Sequence, residues 1–255
     1  FALADNGLAP TKLLKDQQSI AMAATAQNLA DAYGISREAA DDYSLRSQTL
    51  AGKAIQSGRF DVEIDPIEVP GRGFFARDVH PRKTSKEALA GLGPVLGTRV
   101  ITAGNASGIN DGACALVIAS EDKVAELGAK PLAELVDYVS VGVTPEQMGI
   151  GPVEAIKALL ARNNLTVADI DLVEINEAFA VQYLSCEKLL GLDRDKVNVN
   201  GGAIAMGHPI GMSGARLILT LAHELKRTGK KLGVAALCIG GGMGIATLIA
   251  NPDVA

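Results

Sequence analysis

The sequence predicts an α/β protein in which helices are layered on a sheet, and three observations support this fold class. Apolar strand patterns alternate with amphipathic helix patterns after Pro131, as in chains built from crossover connections. The composition is 48% hydrophobic and 21% charged, which is typical of a folded protein rather than a disordered one. Many of the 28 glycines cluster at the ends of predicted strands, where open α/β sheets place their ligand sites.

The N-terminal part of the chain predicts two helices followed by an irregular region. Apolar residues recur at helical spacing over residues 19–33 and 37–57, and Ser36 is a suitable N-cap for the second helix. Residues 61–97 combine prolines, glycines and mixed charges, which predicts short strands and surface loops rather than long elements.

Residues 98–130 predict a different pattern from the region before them. A short apolar run at 100–103 predicts a strand, a loop rich in glycine and asparagine follows at 104–112, and residues 113–119 predict a buried segment.

Residues 131–255 predict a complete small domain in which strands and helices alternate. Apolar runs that predict strands lie at 132–143, 172–175, 197–199, 232–239 and 245–249. Amphipathic patterns that predict helices lie at 152–163, 177–190 and 212–228. Only residues 240–244 separate the last two strands, which is too short for a helix, so we expect these strands to pair as an antiparallel hairpin.

Charge, hydropathy and cysteine content exclude several classes of protein. With 24 basic and 29 acidic residues the net charge is −5, which argues against a general nucleic-acid or anionic-membrane surface. No apolar run approaches the roughly 20 residues needed to cross a bilayer. The three cysteines are too few and too scattered for a disulfide framework, and they lack metal-ligand spacing. We therefore expect a cytoplasmic protein with no metal and with neither nucleic-acid nor membrane partners.

His208 is the first candidate for chemistry. Gly207 and Gly211 lie on either side of it and Pro209 follows it directly, so the imidazole is expected on a fixed, uncrowded turn that a substrate can approach. Histidine also exchanges protons near neutral pH without a large pKa shift. The alternative is a histidine whose hydrogen bonds are satisfied within a loop.

Cys238 ends an apolar strand and precedes the glycine cluster at 240–244. Its thiol is expected at the edge of a site where it can donate or accept a proton, beside backbone N–H groups that can bind an oxyanion. The alternative is a buried cysteine beside a hairpin turn. Cys114 and Cys186 lie inside apolar segments with no histidine or glycine turn beside them, so we expect them to be inert.

Three further features each allow two interpretations. Asn176 lies between a predicted strand and a predicted helix, where it can cap the helix or hold a catalytic water, and Glu177 is expected to complement the helix dipole. Ser107 can stabilise a tight turn or hydrogen-bond an amide-bearing ligand. The basic segment 72–86, which includes Arg82, can face solvent or anchor a phosphorylated ligand.

Together these motifs resemble those of the thiolase family of acyl-CoA acyltransferases. The resemblance is carried by Gly-Gly-Ala-Ile-Ala-Met-Gly-His-Pro-Ile-Gly around His208, by Cys-Ile-Gly-Gly-Gly-Met-Gly starting at Cys238, and by Asn-Glu-Ala-Phe starting at Asn176. It extends over essentially the whole chain. Ketoacyl synthases, which are related condensing enzymes, lack the second of these motifs.

The resemblance implies a thiolase-like layered α/β/α fold. Residues 131–255 would be the complete C-terminal domain, residues 98–130 the end of the N-terminal domain, and residues 1–97 the loop domain. The implied reaction is thiolysis of a 3-ketoacyl-CoA, or condensation of two acetyl-CoA molecules, through an acylated cysteine. Coenzyme A and acyl-CoA would be substrates, no cofactor would be bound permanently, and the complete unit would be a dimer or tetramer.

The resemblance also implies roles for individual residues. His208 would deprotonate the nucleophilic thiol and, with a water held by Asn176, would stabilise the thioester enolate. Cys238 would move the proton at the substrate α-carbon or on CoA, and the Gly240 amide would contribute to an oxyanion site. Four positions are expected to contact substrate: Met22, Arg82, Ala103 and Ser107.

Two departures from the family pattern affect these expectations. The segment with the acylated cysteine has no counterpart here, so the chain is expected to lack most of the N-terminal half. Residues 98–120 would then expose unpaired backbone and an apolar face. A partner N-terminal polypeptide, either a separate subunit or a cleaved fragment, is expected to cover that face and to supply the nucleophile. Ala21 stands where many biosynthetic members have a histidine, which leaves specificity for acetoacetyl-CoA open.

Two other functions remain open from the sequence. The first is a non-catalytic acyl-CoA-binding or assembly subunit with the same fold, although a scaffold would not need His208, Cys238 and Asn176 together. The second is a stand-alone hydrolase that uses Cys238 as nucleophile and His208 as base.

Overall fold

A computed structural model describes residues 21–254, so residues 19 and 20 of the first predicted helix lie outside the described residues. The α-helices are α1 (Met22–Tyr33), α2 (Arg37–Gln56), α3 (Lys86–Ala90), α4 (Glu121–Leu127), α5 (Gly151–Arg162), α6 (Ala180–Leu190), α7 (Ala203–Met206) and α8 (Ile210–Thr228). Short 3₁₀ helices lie at Pro145–Ile150, Val167–Asp169 and Arg194–Lys196. None of the helices within residues 21–254 combines the length and the apolar character that a membrane span requires.

The strands form two sheets. A small hairpin pairs β1 (Ile67–Val69) with β2 (Gly73–Phe75). The main sheet contains β3 (Glu134–Gly142), β4 (Leu172–Ile175), β5 (Leu232–Ile239) and β6 (Met243–Ala250) in the order β3-β6-β5-β4. Strands β5 and β6 pair as the predicted antiparallel hairpin, β3 is antiparallel to β6, and β4 is parallel to β5.

Helices cover both faces of the main sheet. On β5, Val234 and Ala236 belong to the core cluster that contains α5 and α6, whereas Ala235 between them belongs to the cluster that contains α8. Because side chains alternate across a strand, these neighbours face opposite sides of the sheet. The layered α/β/α arrangement predicted from the sequence is therefore confirmed.

Two of the predicted strands are wrong. Residues 100–103 form only one isolated bridge, between Thr102 and Pro94, and residues 197–199 form only one, between Val197 and Val173. Asn198 adopts a φ of 46°, and its side chain accepts from the Ile175 N–H at 2.9 Å and donates to the Ile175 carbonyl at 2.9 Å. A side chain thus makes the hydrogen bonds at this end of β4 that another strand would otherwise make.

The segment at 113–119 is not buried, contrary to the sequence prediction. Val117 is 99% exposed and Ile118 is 79% exposed. Among the described residues, no acceptor is present for the backbone N–H groups of 109–119. This segment is apolar enough to be a core element, but no described strand lies beside it to pair with its backbone.

Candidate active site

The strand order brings three of the predicted site residues to one edge of the main sheet. Strands β4 and β5 are parallel, so their carboxyl ends lie at the same edge. Asn176 follows β4, and its N–H donates to the Ala236 carbonyl on β5 at 3.0 Å. Cys238 lies two residues further along β5, and Gly240 follows the end of that strand.

The loop around Ser107 connects the His208 turn to this edge. The Ser107 N–H donates to the Ala178 carbonyl at 3.0 Å, and the His208 N–H donates to the Gly108 carbonyl at 3.0 Å. A Cβ on Gly108 would lie 1.9 Å from the His80 ring, so only glycine fits at this contact. The structure thus places Ser107 between the segment that follows Asn176 and the turn that holds His208.

The Asn176 side chain has unsatisfied hydrogen-bonding capacity. The residue is 0% exposed, and neither its Oδ1 nor its Nδ2 has a hydrogen-bond partner within the described residues. It does not cap α6, because the N-cap of that helix is Phe179 and α6 begins only at Ala180. Buried polar atoms without partners are costly, so an amide of this kind is suited to bind a water molecule or a ligand.

Glu177 is a buried acceptor that precedes α6, rather than the dipole-complementing acid in the first helix turn that the sequence predicts. Its carboxylate accepts hydrogen bonds from four groups: Tyr43 Oη at 2.6 Å, Ser47 Oγ at 2.7 Å, Asn198 Nδ2 at 3.1 Å and the Ile204 N–H at 3.1 Å. These donors come from α2, the 195–202 region and α7. Sequence reasoning missed this carboxylate because its partners are distant in the chain.

Two glycines before His208 make room for the Glu177 network. A Cβ on Gly202 would lie 2.4 Å from the Glu177 carboxyl carbon, and a Cβ on Gly201 would lie 2.6 Å from the Ser47 carbonyl. Gly201 also has a φ of 79°, which favours glycine. Part of the glycine-rich motif therefore serves the packing around Glu177 rather than substrate access.

His208 is half-buried and hydrogen-bonded through one ring nitrogen. Its Nδ1 lies 2.6 Å from Ser213 Oγ, a residue that sequence reasoning did not single out. Burial, with the positive charge of Arg216 as a smaller cause, lowers the pKa of His208 from 6.5 to about 4. The imidazole is therefore neutral at physiological pH and able to act as a base.

Cys238 lies mostly below the surface, where burial keeps its thiol protonated. The residue is 8% exposed, and burial raises the pKa of its thiol to about 12. Burial also raises the pKa of Cys186 and, to a smaller extent, that of Cys114. These three are all the cysteines in the sequence, and none has the depressed pKa of an activated thiolate nucleophile.

Gly240 lies in the exposed turn between β5 and β6. Within residues 21–254 its N–H has no hydrogen-bond acceptor, so it is free to donate to a ligand. The same turn is fixed by Gly242, whose φ is 90° and whose carbonyl accepts from the Val143 N–H at 2.8 Å. A Cβ on Gly242 would lie 2.3 Å from the Val143 carbonyl oxygen.

The other predicted substrate contacts lie on more exposed parts of the protein. Met22 is the first residue of α1, and Ala103 lies in the loop that precedes Ser107. Arg82 is exposed, but its N–H donates to Gln48 Oε1 at 3.0 Å, which attaches the basic segment to α2. The described hydrogen bonds do not join these three residues to the His208 turn, so their substrate contacts stay predictions.

Arg216 of α8 and Glu174 of β4 form an incomplete ion pair on the face of the sheet that α8 covers. Arg216 Nη1 lies 3.8 Å from Glu174 Oε2, which is longer than a hydrogen bond, and both side chains are largely buried. Neither Glu174 Oε2 nor the two Arg216 Nη atoms has a hydrogen-bond partner among the described residues. Burial raises the pKa of Glu174 from 4.5 to about 8, against the opposing effect of Arg216.

Two family models match this chain and together cover nearly all of it. The model described as "Thiolase, N-terminal domain" matches residues 2–122, and the model described as "Thiolase, C-terminal domain" matches residues 129–251. Because the N-terminal model matches from residue 2 onward, the expectation that the chain lacks the N-terminal half is not supported.

Individual relatives and solved structures agree with these matches. An acetyl-CoA acetyltransferase of Syntrophomonas wolfei subsp. wolfei is 52% identical over 234 residues, which are 89% of this chain and 59% of the relative. The crystal structure of the Bacillus anthracis acetyl-CoA acetyltransferase has a TM-score of 0.89 and 52% identity, and the match covers 91% of this chain and 60% of that one. A structure of human mitochondrial 3-ketoacyl-CoA thiolase in complex with CoA has a TM-score of 0.89 and 50% identity, over 91% of this chain and 59% of that one. This chain thus spans about three fifths of the length of these proteins.

Proposed function

This chain belongs to the thiolase family, and we propose that it provides the proton-transfer and enolate-binding groups of an enzyme that transfers acyl groups between CoA thioesters. The reaction would be thiolysis of a 3-ketoacyl-CoA or condensation of acetyl-CoA. The names of the relatives, acetyl-CoA acetyltransferase and 3-ketoacyl-CoA thiolase, support this substrate class. The dimer or tetramer and the cytoplasmic location stay predictions.

The observation that carries the proposal is the Asn176 side-chain amide, which has no hydrogen-bond partner among the described residues and whose strand end is linked to the His208 turn through the Ser107 loop. A water bound to this amide can donate to a thioester oxygen, and His208 can provide a second donor to the same oxygen once its imidazole has taken the proton of the attacking thiol. Negative charge develops on that oxygen when a thioester enolate forms, and preorganised donors in a buried site stabilise it strongly. A purely structural asparagine would have hydrogen-bond partners within the protein.

The ionisation states fit a division of proton transfers between His208 and Cys238. Neutral His208 can accept the proton of an attacking thiol and return it to a leaving thiol. Cys238 holds its proton at physiological pH, so in thiolysis its thiol can protonate the α-carbon of the departing acetyl-CoA enolate. In condensation the same sulfur would have to remove that proton, which is harder for a thiol with a raised pKa.

We further propose that the nucleophilic thiol lies outside residues 1–255. The raised pKa values of Cys114, Cys186 and Cys238 argue against any of them as the acylated nucleophile, and so against the hydrolase alternative. The exposed apolar residues of the 109–119 segment and its backbone N–H groups, unpaired among the described residues, are suited to pairing with further residues of the complete enzyme. The predicted substrate contacts Met22, Arg82, Ala103 and Ser107 would then line the approach of CoA.

Denaturing mass spectrometry of the purified native material, before and after brief exposure to acetyl-CoA, tests both parts of the proposal. We expect the acetyl group on a cysteine outside residues 1–255 and none on the three cysteines within them. Acetylation of this chain, lost in Cys238→Ala but retained in Cys114→Ala, would place the nucleophile at Cys238 and overturn the proposal. Binding of CoA without acetylation of any polypeptide would instead indicate a non-catalytic acyl-CoA-binding subunit.

A further inference from the structure

The Ser213 hydroxyl contacts the imidazole of His208. The residue is 1% exposed and lies in the first turn of α8. Its Oγ is 2.6 Å from His208 Nδ1 and 2.9 Å from the carbonyl oxygen of Pro209. Both contacts are within hydrogen-bond distance, so the serine hydroxyl connects the ring to the backbone of its own turn.

The proton count of this arrangement determines what the ring nitrogen does. A serine hydroxyl has one proton to donate and two lone pairs that accept. Because Ser213 donates its only proton to the Pro209 carbonyl, it can contact Nδ1 at 2.6 Å only as an acceptor. Nδ1 must then have the hydrogen, and in a neutral imidazole the proton is therefore absent from Nε2.

The start of α8 keeps the serine in this position. The Ser213 N–H donates to the Pro209 carbonyl at 2.9 Å, and the Met212 N–H donates to the same oxygen at 3.0 Å. Pro209 is the N-cap of α8 and fixes the chain direction directly after His208. These backbone contacts and the burial of Ser213 hold its hydroxyl beside the His208 ring.

We infer that Ser213 is a positioning residue that holds His208 in the tautomer protonated on Nδ1, which leaves the Nε2 lone pair free to take a proton. The tautomer follows from the assignment of the Ser213 proton to the Pro209 carbonyl rather than to Nδ1. Its consequence for catalysis rests on the proposed role of His208 as the base. A histidine in the opposite tautomer would present an N–H to the attacking thiol and could not deprotonate it.

Nuclear magnetic resonance of the full chain labelled with ¹⁵N in histidine tests the tautomer directly. The sequence contains three histidines, and the signals that disappear in His208→Gln identify those of His208. Long-range ¹H–¹⁵N correlations near neutral pH distinguish a protonated ring nitrogen from a bare one. We expect a protonated Nδ1 and a bare Nε2 for His208.

Two serine variants test whether the hydroxyl causes this preference. Ser213→Ala removes the acceptor, so His208 should lose its single tautomer and shift towards the Nε2-protonated form that a free imidazole prefers. Ser213→Thr retains a hydroxyl at the same position and should restore the Nδ1-protonated form. If Ser213→Ala does not fold, Ser213→Cys replaces the hydroxyl with a weak acceptor of similar size and should weaken the preference in the same direction.

Two results would overturn the inference: a protonated Nε2 in the unaltered protein, or an unchanged tautomer in Ser213→Ala. Turnover in the complete enzyme separates this inference from the proposed function. We expect kcat of Ser213→Ala to fall about tenfold with little change in KM, and Ser213→Thr to recover it. If the tautomer changes as expected while kcat does not, the role of His208 as base fails and the positioning of its ring by Ser213 stands.

Discussion

Asn176 and Glu177 are consecutive residues, both 0% exposed, yet the surroundings of their polar atoms are opposite. The Glu177 carboxylate accepts four hydrogen bonds from three separate parts of the chain. The Asn176 amide has no hydrogen-bond partner among the described residues. The comparison shows that burial of a polar side chain does not by itself reveal its role.

The partners of each side chain indicate what it contributes. A buried carboxylate with all its hydrogen bonds made within the protein stabilises the fold, because removing it leaves several donors unsatisfied. A buried amide with none lowers stability unless a water or ligand binds it. Glu177 is therefore expected to act on folding, and Asn176 on function.

The largest expected effect is on the stability of Glu177→Gln. The amide NH₂ replaces an acceptor with a donor, so two of the four donors lose their partner at about 1–3 kcal/mol each, or about 4 kcal/mol in total. Denaturant unfolding measures this difference. The matched control is Glu38→Gln, an exposed acid in the first turn of α2, which should change stability by less than about 0.5 kcal/mol. Equal effects of the two variants would mean that Glu177 is only a dipole-complementing acid.

Asn176→Ala should reduce turnover strongly and change stability only slightly. Turnover in the complete enzyme should fall about 10²–10³-fold, as when one donor of an oxyanion site is removed. Stability should change by less than about 1 kcal/mol, because no hydrogen bond within the protein is lost. Thiolysis assays and unfolding curves of the same preparation provide both values. A large loss of stability with unchanged turnover would assign Asn176 to the fold instead.

Glu174 is an intermediate case, with one charged neighbour at 3.8 Å and an unpaired oxygen. Burial raises the pKa of Glu174 from 4.5 to about 8, so between these values the folded protein binds a proton that the unfolded chain releases. The contribution of Glu174 to the free energy of unfolding is largest below pH 4.5 and decreases as the pH rises towards 8.

Glu174→Gln should therefore remove a decline in stability of several kcal/mol across that interval. Unfolding free energies measured at a series of pH values test this. His208 contributes with the opposite sign, because its pKa is lowered from 6.5 to about 4 and stability from it is lost as the pH falls through that range. An unchanged pH profile in Glu174→Gln would show that Arg216 keeps the carboxylate ionised.

The smallest expected effects concern two glycines of the same motif. Gly202→Ala places a Cβ 2.4 Å from the Glu177 carboxyl carbon and should cost about 2 kcal/mol through overpacking. Gly211→Ala meets nothing within 4 Å and lies in α8, so it should leave stability unchanged or raise it by up to about 1 kcal/mol. Thermal unfolding of both variants distinguishes them. Similar values would mean that the Glu177 network adjusts freely to an added methyl group.

Much of the fold could be predicted from local sequence patterns. The strand at β4 and the hairpin of β5 and β6 follow from short apolar runs and a glycine connection, and α2 begins after its predicted cap, Ser36. The predictions of strands and buried segments were wrong where no local sequence pattern determined the structure. Residues 113–119 are apolar enough for a core element, but no described strand pairs with their backbone, and Val117 and Ile118 are exposed.

The sequence by itself determined the layered fold, the turn around His208 and the positions of Cys238 and Asn176 after or within strands, because these depend on residues close together in the chain. Only the tertiary structure decided which polar groups are satisfied. Tyr43 and Glu177 are 134 residues apart, and no periodicity or motif predicts that their side chains meet at 2.6 Å. Burial and many of the hydrogen-bond partners, which shift pKa values, arise from such long-range contacts.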